Sequence, residues 1–188
     1  MHCFLLFAVL MASASPLTGQ SWSINEKPLP TKITALSEPE KSAVLAALQP
    51  SLNARIAKGD LERGELTSLQ RGLHVKRVVL TGGSILLVQA WGQPLCGATG
   101  NCSVWVLDKD HRLLLDGGGG ESISVMSSYH RGKPDILFAI HISASDTGLE
   151  RWRFNGSKYV LSWCATSSWG MPFDNWTQPH LDVHSCSE

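Results

Sequence analysis

Residues 132–164 read GKPDILFAIHISASDTGLERWRFNGSKYVLSWC, and their patterning decides the fold class. The segment 135–142 (DILFAIHI) is a nearly unbroken apolar run of strand length, which marks a central strand. Segments 149–154 and 159–163 carry aromatic and β-branched residues and flank Asn155-Gly156. That dipeptide suits a type I′ hairpin turn, whose two central residues need positive φ. The block therefore reads as three antiparallel strands. Upstream, 123–129 alternates Ile, Val and Met with Ser, the period of a half-buried strand. Gly117–Gly120 reads as a flexible break before it. Segment 103–107 (SVWVL) is a further strand, turned by Asp108-Lys109-Asp110 toward Leu113-Leu114-Leu115. Gly82-Gly83 separates strand-like 75–80 from 85–91.

Only ahead of residue 73 does the period become helical. Ser37-Glu38-Pro39-Glu40 has the form of a capping box, with Ser37 as N-cap and Glu40 three residues on. Val44, Leu45, Leu48, Leu52 and Ile56 follow at helical spacing, and Pro50 is expected to break or kink the helix near Gln49. A second short helix is expected over 60–70. The fold class that fits is α+β: an N-terminal helical segment packed on a meandering, mainly antiparallel β-sheet. The expected organisation is a single domain over 37–164, an extended lead-in over 16–36 and an irregular Trp- and Pro-containing tail over 165–188.

The chain has 188 residues, with 16 Lys+Arg against 16 Asp+Glu, 43% hydrophobic and 17% charged. That length suits one core. Zero net charge argues against a nucleic-acid binder, which shows a basic face, and against a polybasic membrane-surface segment. The N-terminus, MHCFLLFAVLMASASPLTGQ, is a short apolar run followed by small residues, as in a secretory signal peptide over 1–15. It is too short to span a bilayer, and no later stretch is longer, so no membrane span is expected in the mature chain. Cys3 would leave with that peptide, and Cys96, Cys102, Cys164 and Cys186 would remain. Four cysteines in an oxidising compartment read as two disulfides with three connectivities. The favoured pairing is Cys96–Cys102 with Cys164–Cys186; the alternative ties Cys102 to Cys164.

The succession CGATGNCSVWVL (96–107), LLLDGGG (113–119), GKPDILFAIHISAS (132–145) and ERWRFNGSKYVLSWC (150–164) resembles a set of uncharacterised bacterial secreted proteins. Those proteins share a CGxxGNC segment before a WVL strand, a GxxDI strand ending in HxSA, and an FxGxxY hairpin. The similarity spans about half the chain, from Val75 to Cys164. Their layout is in turn distantly similar to FG-GAP or VCBS-like β-modules, in which an acidic loop between two strands holds calcium. At that place this chain has Leu80-Thr81-Gly82-Gly83-Ser84, without a carboxylate, so the resemblance implies a fold and a compartment and carries no calcium.

Three polar groups carry candidate chemistry. His180 and His184, with Cys186 and Cys164, have the residue types of a zinc site, yet secretion favours disulfides over zinc thiolates. Asp108, Asp110, Asp116 and Glu121 offer oxygen ligands, but without an EF-hand's spacing they read as turn residues. No metal and no cofactor is therefore expected. His141, Ser143, Ser145 and Asp146, with His130 and Asp135 upstream, are the types a hydrolase uses, without a G-x-S-x-G elbow. Seven Trp against two Tyr is the stronger compositional signal. Trp91, Trp105, Trp152 and Trp163 fall on expected strands, whereas Trp169, Phe173 and Trp176 fall in the tail, where exposed aromatics would suit a protein or glycan partner. The leading expectation is a secreted or periplasmic, non-enzymatic binding module with no nucleic-acid partner. The alternatives are a small hydrolase using His141 with Ser143 or Ser145, and an inhibitor of an extracellular enzyme.

Overall fold

The computed structural model describes residues 28–81, 83–92, 94–168 and 180–186. The expected signal peptide and the tail aromatics Trp169, Phe173 and Trp176 lie outside the described residues, and so does the side chain of His180. The elements run β1 (Thr31–Lys32), α1 (Glu38–Lys58), α2 (Leu66–Arg71), β2 (Leu73–Leu80), β3 (Gly83–Ala90), β4 (Cys102–Asp108), β5 (Leu113–Gly120), β6 (Ser122–His130), β7 (Lys133–His141), β8 (Asp146–Phe154), β9 (Tyr159–Ser168) and β10 (His180–His184). All pairings are antiparallel, as the patterning implies.

The strands form two sheets where the sequence suggested one. The first is ordered β1-β2-β3-β4-β5 and the second β10-β9-β8-β7-β6. The physical reason lies in β3 and β4, which are apolar on both faces. Leu86, Val88, Trp105 and Leu107 join one buried cluster with Val44, Leu48 and Leu52 of α1. The alternate residues Ile85, Leu87, Val104 and Val106 join another with Ile136, Phe138, Phe154 and Tyr159 of the second sheet. A sheet with two apolar faces needs a cover on each, so helix, first sheet and second sheet stack in that order. Each fully buried aliphatic or aromatic side chain contributes roughly 1.5–3 kcal/mol.

Helix α1 runs unbroken through Pro50. Pro50 and Ala46, whose carbonyl loses its donor, are both exposed, so the missing hydrogen bond falls on the solvent side of the helix. Leu48 and Leu52 on either side hold the helix against the sheet. Ser37 sits at the N-cap position without a side-chain cap bond, and Glu40 instead pairs with Arg77 of β2. The helix is stitched to β4 and β5 by a polar relay in which Trp105 Nε1 donates to Ser51 Oγ (2.9 Å) and Ser51 donates to Asp116 (2.7 Å).

The described parts of the lead-in and of the tail are more regular than the sequence suggested. In the lead-in, Leu29 is buried in the inter-sheet layer, and its backbone is held by Gln89 (3.2 Å) and His74 (2.9 Å). In the tail, β9 continues to Ser168, and His180–His184 returns as a strand paired along 164–168. The structure joins Cys96 to Cys102 and Cys164 to Cys186, the pairing that spacing favours. The second bond fastens the end of β10 to β9.

Gly117–Gly120 is part of β5 rather than a break. A Cβ on Gly119 would stand 3.1 Å from the Asn101 carbonyl oxygen, and one on Gly117 would stand 3.1 Å from that of Val104. The glycines thus permit close backbone approach. At Asn155-Gly156 the hairpin is present, but its loop has four residues, Asn155 to Lys158. The Asn155 side chain accepts the Ser157 and Lys158 N–H groups, an Asx turn in place of type I′.

Candidate functional site

Only Glu121 separates β5 from β6, so the chain changes sheet there. Asn101, admitted by Gly119, bridges the sheets: its Nδ2 donates to the His141 carbonyl (2.8 Å) and its Oδ1 accepts the His141 N–H (2.8 Å). The amide acts as a short piece of strand and fixes the end of β7. The His141 ring Nδ1 lies 3.8 Å from Glu121. Past His141 the strand alternation stops, because residues 142–145 form the loop to β8. The Ser143 hydroxyl donates to Asp146 Oδ2 (2.6 Å), and Ser145 donates to the same oxygen (3.2 Å). Hydrogen bonds from Ser143, and after it Ser168, hold the Asp146 carboxyl below its ordinary range. Asp146 therefore organises the loop through the two serines. No hydrogen bond among the described residues joins either hydroxyl to the His141 imidazole.

The other sequence candidates are dispersed. Asp108 closes the β4–β5 turn by accepting the Asp110 and Arg112 N–H groups (2.9 Å each) and the Arg112 guanidinium (2.7 Å). Burial raises its carboxyl, but the combined hydrogen bonds outweigh burial and leave it below the ordinary value. Asp116 faces α1 through Ser51, and Glu121 faces His141. Cys164 and Cys186 are consumed in their disulfide, and His184 bonds Thr166 (3.2 Å) and the Ser185 carbonyl (3.0 Å). Of the four tryptophans expected on strands, Trp105 is fully buried in β4, whereas Trp91 lies just past the end of β3 and is 37% exposed. Trp152 packs on Phe138 at 6.1 Å.

His130 and Asp135, grouped in the sequence with His141 and the serines, instead meet Arg151 and Arg153, which the sequence did not single out, on the outer face of the second sheet. Along β7 the even residues Ile136 and Phe138 enter the inter-sheet layer, whereas Leu137 and Ala139 join an outer cluster with Met126, Leu149 and Ala165. Asp135 shares their face and has no solvent exposure. Leu137 pairs with Arg151, so Arg151 stands on that face as well. Arg153 is one residue beyond the Ile136–Trp152 pair, beside Asp135. Ser128 donates to Asp135 Oδ2 (2.9 Å), the Arg153 guanidinium lies 3.6 Å from the same oxygen, and His130 Nδ1 is 3.8 Å from Oδ1. The Arg151 guanidinium sits 5.6 Å over the ring of Trp163. Burial, and after it the like charge of Arg153, lowers the Arg151 pKa, while Asp135 acts in the opposite direction. The Tyr159 hydroxyl, donating to the Pro134 carbonyl (3.0 Å), is raised by burial and then by Asp135.

No protein-family model, curated protein or solved structure matches this chain. The site therefore stands on its own chemistry. Among the described residues, four side-chain atoms are buried without a hydrogen-bond partner: His130 Nδ1, Asp135 Oδ1, Arg151 Nε and Arg153 Nε. All four belong to this one group, on a face where polar burial without partners is costly. Two signals in the sequence pointed to it. One is a carboxylate opening the most apolar strand, and the other is the Arg-Trp-Arg spacing, which puts two cations on one face of β8. Neither resembles a catalytic motif. Only the pairing of β7 with β8 brings them together.

Proposed function

We propose that this chain is a secreted or periplasmic, non-enzymatic binding module whose contact surface is the outer face of the second sheet. The observation that carries this reading is the convergence of the four buried, unpartnered side-chain polar atoms among the described residues on Asp135, His130, Arg151 and Arg153. A face that withholds hydrogen-bonding groups from water and from its own neighbours is suited to a partner that supplies them. The compartment is supported by the leader-like N-terminus and by the two disulfides, which persist in oxidising surroundings. The resemblance to bacterial secreted proteins agrees with the same address. Among the described residues no helix is long and apolar enough to cross a membrane. Binding is favoured over hydrolysis because the hydroxyls of Ser143 and Ser145 are committed to Asp146.

The test is an amide chemical-shift map of the mature, oxidised chain, titrated with neutral oligosaccharides, acidic oligosaccharides and short peptides, with ester turnover assayed in parallel. The expected result is perturbation of β7 and β8 amides by at least one of these and no turnover. Turnover abolished by His141→Ala would overturn the reading in favour of a hydrolase. Binding lost on Trp169→Ala or Trp176→Ala but kept in Arg151→Gln would overturn the assigned face and move it to the tail.

A further inference from the structure

The charge on this face does not balance. Arg151 and Arg153 are permanent cations, and Asp135 is the carboxylate set between the two strands beside them. Glu150 lies between Leu149 and Arg151 in sequence but belongs to the opposite face, where it accepts from Trp152 Nε1 (3.1 Å). Trp152 packs in the inter-sheet layer, so Glu150 does not neutralise the arginines. Asp135 in turn spends one oxygen on Ser128 and Arg153. Arg151 is held over Trp163, which fixes its plane without satisfying its donors. Residues two apart on a strand stand roughly 6–7 Å from each other, a spacing that lets two long guanidinium side chains converge on one group. A guanidinium presents Nε and a terminal nitrogen as a planar fork matching two oxygens of one anion. On both arginines the Nε half of that fork is buried and unpartnered.

Resting on the binding-module reading, we propose that Arg151 and Arg153 form an oxyanion site that takes a carboxylate or phosphate group of the bound ligand, with Asp135 as the positioning residue that holds Arg153 in place. Both Nε atoms are buried, so the anion meets each guanidinium at the part that the half-buried side chain leaves accessible, and it offsets the excess positive charge. Asp135 anchors one arginine and leaves the other free to engage the ligand.

The experiment follows the Arg151 and Arg153 Nε–H resonances of the oxidised chain during titration with inorganic phosphate, oligogalacturonate and a neutral maltooligosaccharide. The expected result is saturable shifts of both resonances with an anion, weakened about tenfold in Arg151→Gln or Arg153→Gln and weakened by added salt. Arg151→Lys keeps the charge and loses the fork, so it carries the test if the Gln variant does not fold; it too is expected to bind more weakly. Saturation by phosphate alone identifies a free oxyanion as sufficient, whereas saturation only by oligogalacturonate identifies a carboxylated glycan. Both outcomes support the site. Shifts of β7–β8 amides with the maltooligosaccharide, without response of either Nε–H to an anion, would overturn the oxyanion inference and leave the binding module standing. Anion binding unchanged in both Gln variants would also overturn it. Silence of the whole face to every ligand, together with ester turnover, would overturn both.

Discussion

The two sheets are built from similar strands and carry opposite burdens. In the first sheet every side chain of β4, and residues 85–90 of β3, is buried. That sheet is apolar toward α1 and apolar toward its neighbour, and its few buried polar groups are paired, as in the Trp105–Ser51–Asp116 relay. The second sheet has one such face. Its other face mixes the small cluster around Leu137 with Asp135, Arg151 and Arg153, and leaves Leu181 and Val183 exposed. The difference teaches that a sheet covered on both sides is free to be stable, while a sheet with one open side is free to hold unpaired chemistry. On the proposed reading, the first sheet is the scaffold and the second the contact element.

The largest expected effect separates two tryptophans. Trp105→Ala, in the helix-covered layer, is expected to cost about 3–5 kcal/mol, the range for emptying a fully buried aromatic site. Trp163→Ala, half-buried under Arg151 on the outer face, is expected to cost roughly 1–2 kcal/mol. Urea unfolding of both variants measures the gap, and equal losses would break the comparison. Next in size is the bond that fastens β10. The paired change Cys164→Ser with Cys186→Ser, which opens a loop of sequence separation 22, is expected to lower stability by about 3 kcal/mol. It should leave β3 and β4 protected against amide exchange. Loss of protection in β4 at the same rate would show that the sheets do not differ as described.

Smaller again is the joint between the sheets. Asn101→Ala would strip the His141 N–H and carbonyl of their partners at a half-buried position, with an expected cost of about 1–3 kcal/mol. Asn101→Asp keeps one acceptor and should recover part of it. The smallest effect is electrostatic. Asp108 and Asp146 both lie below their ordinary 3.8 when folded. Their contribution to stability is therefore complete above that value and is withdrawn as pH falls through the lower folded value. Thermal melts taken from about pH 5 down to about pH 2 should fall less steeply for Asp108→Asn than for the unaltered chain. Identical acid profiles would remove Asp108 from the account.

Much of the fold was legible in the sequence because burial leaves a period. The strand character of 123–129, the run 135–142, the helical spacing of Val44, Leu48 and Leu52, and the short Cys96–Cys102 spacing are all local, although β6 shifts register between Val125 and Tyr129 and Met126 lies on the opposite face from Ile123 and Val125. Features that depend on distant partners were not legible. SVWVL reads as one strand, and nothing local says that its Val and Trp faces meet different layers. Pro50 and the four glycines looked like interruptions because their tolerance comes from exposure in one case and from the close approach of Asn101 and Val104 in the other. Strand β10 was missed because its apolar residues are few and the disulfide holds its end. The arginine site was missed for the same reason: Asp135 and Arg153 come together only through strand pairing. The serines near His141 were local and therefore conspicuous, yet the structure commits them to Asp146.

Native-state amide exchange on the mature, oxidised chain, with and without oligogalacturonate, tests the division between scaffold and contact face most directly. The account predicts that β3 and β4 exchange slowest, and that ligand adds protection to β7 and β8 without altering them. Slowest exchange in β8, or ligand protection appearing on the first sheet, would contradict it.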